Sequence, residues 1–497
     1  MKIAAAPAAT AVESHGIDTV PEGEKVYRPR HLFSVLYGSN LTYSVIIFGA
    51  FPILFGLSWW ASVGSIVVGC LVGAALLAPM SLFAPATGTN NAVSSGAHFG
   101  VGGRFIGTFI ALFSALGFVA ITIWTSGDAL VAGVSRLSGT SSNALVQALG
   151  YAVISAVVVG VAVRGLHLMV FIQERLMMPL MSLVMLAGVF AFNAKFDSSY
   201  PGGKYFLGTF WPTWISCTVL NASLVISYSV FIGDWARYID PTRHPRSRIL
   251  AVTFLGGTVG LGVPILWGAF VSMSFVADAG HFIPALIANS PPWYVIGLVL
   301  LGLIAGIAQG TVGLYGTGLD TSSLIPKLSR QQATLAIAGV TVVFVYLGAF
   351  VWSAMAIVNA FLIILLILTA PWMVIMSIGY LYRRGHYVAD DLQVFTRGQV
   401  GGRYWFVNGV NWRAAAAWAF SAGLGLLFSA APPLYVGPWA NAAGGVDLSF
   451  FVALGAGGAI YTALLLIAPE PAYVFGPRGP LFGNPAANLV FRKIESQ

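Results

Sequence analysis

Charge is what this sequence lacks. Only 8% of its 497 residues are Asp, Glu, Lys or Arg, against roughly 25% in soluble domains. So few charges cannot cover a water-facing surface of that size, which excludes an ordinary soluble fold. Cysteine is scarce as well. Cys70 and Cys217 lie in or beside apolar runs, and their spacing offers neither a disulfide framework nor a metal site. No HExxH, no paired histidine ligands and no GxSxG in a suitable context occur. Long polar stretches are missing too: the longest are residues 1–30, 240–248 and 383–412. None is large enough to house a catalytic domain, so no catalytic set, metal site or cofactor is expected, and an enzyme is the least supported reading. Residues 1–30 mix Glu13, Asp18, Glu22 and Glu24 with Lys25, Arg28 and Arg30 and carry no apolar core. They read as a flexible cytoplasmic tail rather than a secretory leader.

Apolar residues fill the space that charge leaves. They make up 58% of the chain, the mean hydropathy is +0.85, and glycine occurs 58 times. Glycine at that level suits membrane helices, whose backbones pack closely through small residues. Twelve apolar runs are readable, at about 32–57, 61–84, 103–135, 144–163, 168–192, 212–238, 248–275, 292–325, 331–350, 353–381, 411–431 and 447–467. A run of ~20 residues crosses the ~30 Å hydrocarbon layer as a helix. With the N-terminus inside, the outer loops hold only Arg136, Lys195 and Lys204 of the chain's 24 basic residues. That bias sets the orientation and checks the helix count. Both termini are therefore expected in the cytoplasm, with the chain a multi-pass protein of the cell (plasma) membrane. The net charge of +8 is a topogenic signal, not a nucleic-acid footprint.

The first and sixth runs are interrupted. HLFSVLYGSNLTYSVIIFGAF carries Gly38, Ser39 and Asn40, with Thr42 beyond; CTVLNASLVISYSVFIGDWARY carries Asn221 and Ser223, then Ser227. Two interrupted helices five spans apart are what an inverted five-plus-five repeat produces, with substrate and ion held at mid-depth against the unwound backbone. The fold expected is all-α and integral to the membrane. It comprises repeat 1 over about 32–192, repeat 2 over about 212–381, and two extra helices over about 411–467. These make a transporter domain of 31–467 and leave a C-terminal cytoplasmic tail, 468–497. Phe118, Thr122 and Thr125 share one helical stripe of the third run. In the eighth run Gly302, Gly306 and Gly310 make a close-packing stripe, with Gln309 and Tyr315 as its polar members. An aromatic face with amides and hydroxyls suits a flat, neutral, hydrogen-bonding ligand.

Ionisable residues within spans are costly, and the few present are candidates for coupling or gating. Asp128 interrupts the third run one turn past Trp124. It faces the bundle interior, either as a proton carrier or as a structural hydrogen-bonding group. Glu174 and Asp234 lie near the inner ends of the fifth and sixth runs, beside Arg175 and Arg237, as an ion-pair network able to act as an inner gate. Asp320, near the inner end of the eighth, reads as a gate residue or a helix cap.

Four stretches give the chain a resemblance. They are ATGTNNAVSSGAHFGVGGRFIG (86–107), FIQERLMMP (171–179), FIGDWARYIDP (231–241), and NAFLIILLILTAPWMVIMSIGYLYRRGHY (359–387) followed by GRYWFVNGVNWRAAAAW (402–418). With these the chain resembles the nucleobase–cation symporters, in particular the cytosine–purine permease branch, over about residues 30–465. The resemblance implies a LeuT-like fold of the APC superfamily: twelve transmembrane helices with a 5+5 inverted repeat. It also implies import of a nucleobase, cytosine or a purine, by cation symport. Other small rings handled by such transporters (hydantoin, allantoin, thiamine, vitamin B6) stay open, as does an uncoupled channel or receptor. The family's stacking position falls on Phe118, and a polar position one turn on falls on Thr122. The sixth-span ligand positions fall on Ser223, Val225 and Ser227. The first-span ion position falls near Gly38 and Leu41. Asn40, Thr125 and Gln309 complete the expected substrate site; Ala305 and Gln309 join Gly38, Leu41 and Asp128 as coupling positions. Where sodium-coupled members carry hydroxyls in the eighth span, this chain has Ala308, Gln309 and Gly310. Sodium needs several oxygen ligands, so H⁺ is expected over Na⁺ as the coupling ion. The partners implied are a small-molecule nucleobase, the cation and the bilayer, with the monomer as the working unit.

Overall fold

Leu41 and Thr42 break the first span in two. Helix α1, Arg30–Asn40, and helix α2, Tyr43–Leu54, meet at 78°. Leu41 sits at φ −75°, ψ 58° and Thr42 is fully extended at φ −140°, ψ 153°. The Asn40 side chain folds back on the last turn of α1: its Nδ2 donates to Leu36 O at 2.5 Å. In this computed structural model the described residues are 18–164, 171, 173–275, 282–324, 327–351, 354–486 and 493–496. The interruption expected at Gly38–Asn40 thus lies slightly later, because those three residues hold the last turn of α1.

The remaining helices follow the apolar runs. They are α3 (Trp59–Thr87), α4 (Asn91–Phe99), α5 (Phe105–Ser138) and α6 (Ala144–Arg164), then a π-helical stretch (Gln173–Met181) entering α7 (Ser182–Phe192). Next come α8 (Phe210–Ile226), α9 (Ile232–Ala236), α10 (Arg246–Ser272), α11 (Phe282–Ala288) and α12 (Pro292–Leu324). The chain ends with α13 (Arg330–Phe350), α14 (Ala354–Tyr382), α15 (Trp412–Leu427) and α16 (Ser449–Ile467). Among the described residues nine helices are long and apolar enough to cross a membrane, ten with the bent α1–α2 pair. The shortfall from twelve lies in the sixth and eleventh runs. Helix α8 has 17 residues and α15 has 16, each short of the ~20 that cross the hydrocarbon alone. The sixth run is split by a 3-10 turn, Ser227–Ser229, before α9. The eleventh stops where Ala430–Ala431 pairs with Tyr435–Val436 in a small hairpin.

Helices α5 and α12 form the central crossing. A β-carbon at Gly302 would lie 2.6 Å from Ala129 Cβ, and one at Gly306 would lie 3.0 Å from Ser126 Oγ. No larger residue fits at that separation without parting the helices, so the glycine stripe sets how closely the two pack.

At the end of the bundle that carries most of the arginines, distant segments are tied into one buried knot. Arg383, just past α14, donates to Glu470 Oε2 from Nε at 2.9 Å and Nη2 at 2.8 Å, and both side chains are fully buried. Its Nη1 donates to Ala97 O. Asn411 Nδ2 donates to Glu470 Oε1 and to His98 O, each at 2.7 Å. Arg413 donates to the carbonyls of Ala468 and Pro469. His98 Nε2 and Tyr387 Oη are 2.9 Å apart. Burial holds the His98 ring well below its ordinary basicity, and the Arg383 charge lowers it further. Both segments expected to be tails take part in packing. From residue 18 onward the N-terminal segment is docked: Val20 N donates to Gly88 O at 2.9 Å, Tyr27 N donates to Tyr238 O at 3.0 Å, and Val20 and Tyr27 are buried. Glu470 and Phe475 are buried in the segment after α16.

Candidate functional site

The two breaks face each other across a single hydroxyl. Tyr228, in the turn between α8 and α9, places Oη 2.9 Å from Asn40 Oδ1, 2.9 Å from Gln309 Oε1 on α12, and 3.4 Å from Ser39 Oγ. One side chain therefore joins both interrupted helices to the central crossing. The turn itself is held from behind. Asn91 Nδ2 on α4 donates to Ser229 O at 2.7 Å and to Met80 O at 3.1 Å, satisfying carbonyls that a continuous helix would have used.

Helix α5 closes the belt. Thr122 Oγ1 donates to Ser44 Oγ at 3.1 Å, at the start of α2. Asn40, Thr122, Tyr228 and Gln309 are all buried. The belt consists of hydroxyls and amides, groups that both donate and accept. Phe118, one turn from Thr122, lies edge-on to Phe361 of α14, with centroids 5.5 Å apart.

The other expected substrate residues are placed differently. Thr125 Oγ1 turns back to Ile121 O at 2.8 Å. Ser223 and Ser227 do the same, to Leu220 O at 2.6 Å and Leu224 O at 2.7 Å. Such local bonds hold the hydroxyl hydrogen on its own helix. Val225 points into the scaffold, against the backbone positions of Gly73 on α3 and Gly257 on α10. Tyr315 is not beside Gln309. Six residues on, about 9 Å along α12, its hydroxyl accepts from Arg237 Nη2 at 3.0 Å.

Of the coupling positions, Gly38, Leu41 and Ala305 are buried. Asp128 does not enter the belt. It lies six residues past Thr122, about 120° round α5, and its Oδ1 accepts from Tyr151 Oη of α6 at 2.7 Å. It is half-buried and faces its neighbour on α6. Asp234 and Arg237 both turn toward α12. Asp234 Oδ2 lies where a β-carbon on Gly316 would be 2.9 Å away, and the Arg237 guanidinium sits 5.1 Å over the Tyr238 ring. The side chains of Glu174 and Asp320 lie outside the described residues. Among the described residues no three His, Cys, Asp or Glu side chains come together to hold a metal. Tyr228 is the residue that sequence reasoning misses. Its signal was there: a phenol flanked by two serines, in an apolar run already broken.

One family model covers most of the chain. The family model for permeases of cytosine/purines, uracil, thiamine and allantoin matches residues 19–453. The protein named "Putative purine-cytosine permease YxlA" of Bacillus subtilis (strain 168) is 27% identical over 465 residues, covering 91% of this chain and 96% of that protein. The vitamin B6 transporter TPN1 of Saccharomyces cerevisiae is 22% identical over 293 residues, 58% of this chain and 47% of the yeast protein. Among solved structures, Mhp1, a nucleobase-cation-symport-1 family transporter, closed with bromovinylhydantoin bound, superimposes with a TM-score of 0.72 at 17% identity. That match covers 91% of this chain and 95% of Mhp1. Its inward-facing form gives 0.70 at 16% identity, covering 94% and 96%. At these identities the likeness establishes the fold.

Proposed function

The chain belongs to the family of permeases for cytosine/purines, uracil, thiamine and allantoin, and from that premise we propose that it imports a nucleobase, cytosine or a purine, by proton symport and alternating access. The observation that carries the reading is the neutral belt. Asn40, Tyr228 and Gln309 meet where both interrupted helices break, and Thr122 reaches Ser44 just past the first break, with the Phe118 ring one turn from Thr122. Amides and hydroxyls read the edge of a heterocycle, and an aromatic ring covers its face. No Lys or Arg in the belt clamps a carboxylate or phosphate, which favours an uncharged ring over an amino acid or nucleotide.

Proton coupling is supported by the composition of α12. Sodium takes several oxygen ligands, but this helix presents Ala305, Ala308 and the Gln309 amide, whose oxygen is engaged by Tyr228. On this reading α8 with α9, and α15, complete twelve crossings in a 5+5 inverted repeat with two helices added. The Arg-rich end, with both termini, faces the cytoplasm of a cell-membrane protein that works as a monomer. The test is uptake of radiolabelled cytosine, adenine, guanine and hypoxanthine by a permease-deficient strain at two external pH values, with and without sodium. Uptake that rises at the lower pH and ignores sodium is expected. Uptake of none of the four refutes the nucleobase, and sodium dependence refutes the proton.

A second reading is favoured by the likeness to a vitamin B6 transporter and to a hydantoin-bound structure. The same belt grips any small planar ring with N–H and C=O groups, so hydantoin, allantoin, thiamine and pyridoxine belong in the panel. A channel or receptor without coupling gives uptake that never exceeds equilibrium.

A further inference from the structure

The Tyr228 hydroxyl has one hydrogen and two amide oxygens to serve. Asn40 Oδ1 and Gln309 Oε1 both stand 2.9 Å away. Asn40 is fixed in its orientation, because its Nδ2 donates to Leu36 O. A single O–H points at one acceptor at a time, so one of these oxygens is left short of a donor. If the Gln309 amide is turned over, its Nε2 donates to the phenol oxygen instead, and the phenol O–H donates to Asn40 Oδ1. In either orientation the phenol occupies the edge of Gln309 that faces the breaks. That edge is at the level of Thr122. Along the α5–α12 crossing, Val119 lies against Gly313 and Ser126 against Gly306, which places Gln309 opposite Thr122 between them.

We infer that Tyr228 is a built-in stand-in for the substrate: its hydroxyl holds the amide edge of Gln309 until a ring with an N–H or C=O edge displaces it. This rests on the transport reading above and adds a specificity-determining residue to it. The displacement has a mechanical consequence. The hydroxyl's bond to Asn40 stays within the interrupted helices, whereas its bond to Gln309 ties them to α12. A ligand that takes over Gln309 removes the bond that ties the Ser227–Ser229 turn to α12, while Thr122–Ser44 and the bond from Tyr43 Oη to Leu298 O still hold α2 to the crossing, so recognition of the ring edge and loosening of that turn become one event. The ligands selected are planar and uncharged, and carry a hydrogen-bonding edge. A ring of the same size without that edge has nothing to exchange for the phenol.

The experiment compares the full-length wild type with Tyr228→Phe and Gln309→Met in lipid nanodiscs. Affinity for the best binder among cytosine, adenine, guanine, hypoxanthine, hydantoin and pyridoxine is measured by scintillation proximity. Melting temperature is recorded with and without that ligand. Tyr228→Phe is expected to melt lower without ligand, yet to bind the ring two- to tenfold more tightly, since one hydrogen bond of ordinary strength no longer has to be given up. Its ligand-induced rise in melting temperature is correspondingly larger. Gln309→Met, in which the phenol keeps Asn40, is expected to melt close to the wild type and to lose at least tenfold in affinity. Weaker binding by Tyr228→Phe overturns the inference, because the phenol then contacts the bound ring. An equal fall in melting with and without ligand, at unchanged affinity, overturns it as well. Should Tyr228→Phe fail to fold, Gln309→Met binding as tightly as the wild type decides against it. A wild type that binds nothing in the panel refutes the transport reading instead.

Discussion

Replacing Glu470 by Gln is the sharpest test of how the Arg-rich end is held. The substitution keeps the side chain's shape and removes its charge. In the native protein the carboxylate accepts two bonds from Arg383 and one from Asn411, with no exposure of either charged side chain. In the variant the guanidinium remains buried between the Tyr404 and Phe406 rings, 5.5 and 5.9 Å from their centroids, without an anion. Leaving one member of a buried pair uncompensated costs about 3–5 kcal/mol. At about 1.4 kcal/mol per decade, that is a rise in local opening of roughly 10²-fold to a few thousandfold. The effect belongs to the segments the knot ties down: α15, α16 and the turn after α14. Hydrogen–deuterium exchange in nanodiscs reads it directly, because local opening sets amide protection. Protection in α15 and α16 should fall by about that factor while α5 and α12 keep theirs. The double variant Arg383→Met with Glu470→Met should lose far less than the two single changes together, since it strands no charge. Unchanged exchange in Glu470→Gln, or additive losses in the double variant, refutes the reasoning.

Three other outcomes are expected. Phe118→Ala should weaken binding of a ring two- to tenfold, the ~0.5–1.5 kcal/mol of an aromatic contact, while Phe118→Trp stays within twofold; equal loss in both removes Phe118 from the site. Asp128→Asn should leave substrate accumulation within about twofold of the wild type, because the carboxylate is bonded to Tyr151 on the far side of α5 from the belt. Abolished accumulation with intact binding would make it the proton carrier after all. His98 sets an acid limit on stability. Its folded basicity is depressed by burial and then by Arg383, so below about pH 6.5 the unfolded chain binds a proton that the folded chain refuses. Stability from this group is complete above that pH and falls as pH drops below it, by at most about 1.4 kcal/mol per unit. Melting followed down a pH series should show that slope in the wild type and lose it in His98→Gln; an identical slope in both refutes the assignment.

The order of the helices and the existence of two breaks could be read from the sequence because both rest on local chemistry. Apolar runs of spanning length and a polar interruption need no tertiary knowledge. The position of each break was less legible. Asn221 and Ser223 look like breakers, but Asn221 donates to Cys217 O and Ser223 to Leu220 O, so both stay helical. The chain yields at Ser227–Ser229, where Asn91 arrives from α4 and donates its Nδ2 to the Ser229 carbonyl. Nothing within the sixth run records that partner. The same limit hid the role of Tyr228, whose acceptors lie 188 and 81 residues away. Asp128 shows the same limit: an apolar run with one carboxylate cannot name its partner, Tyr151, which sits on the next helix.

The stretches that carry the resemblance and the residues that form the belt do different work. Arg383 and Tyr387 lie in 359–387, Asn411 and Arg413 in 402–418, and His98 in 86–107. The structure gathers all of them, with Glu470, into one buried knot at the Arg-rich end. These stretches build the frame. Asn40, Phe118, Thr122, Tyr228 and Gln309 fall outside every one of them. A frame of fixed hydrogen bonds constrains many residues at once, because each loss strands a buried partner. A binding belt of a few adaptable hydroxyls and amides constrains few. Members of one family can thus keep the frame and exchange the ring they carry. It follows that grafting the four belt residues together with Phe118 between two members, with the knot untouched, should move substrate preference. Exchanging the knot should move stability and leave preference alone.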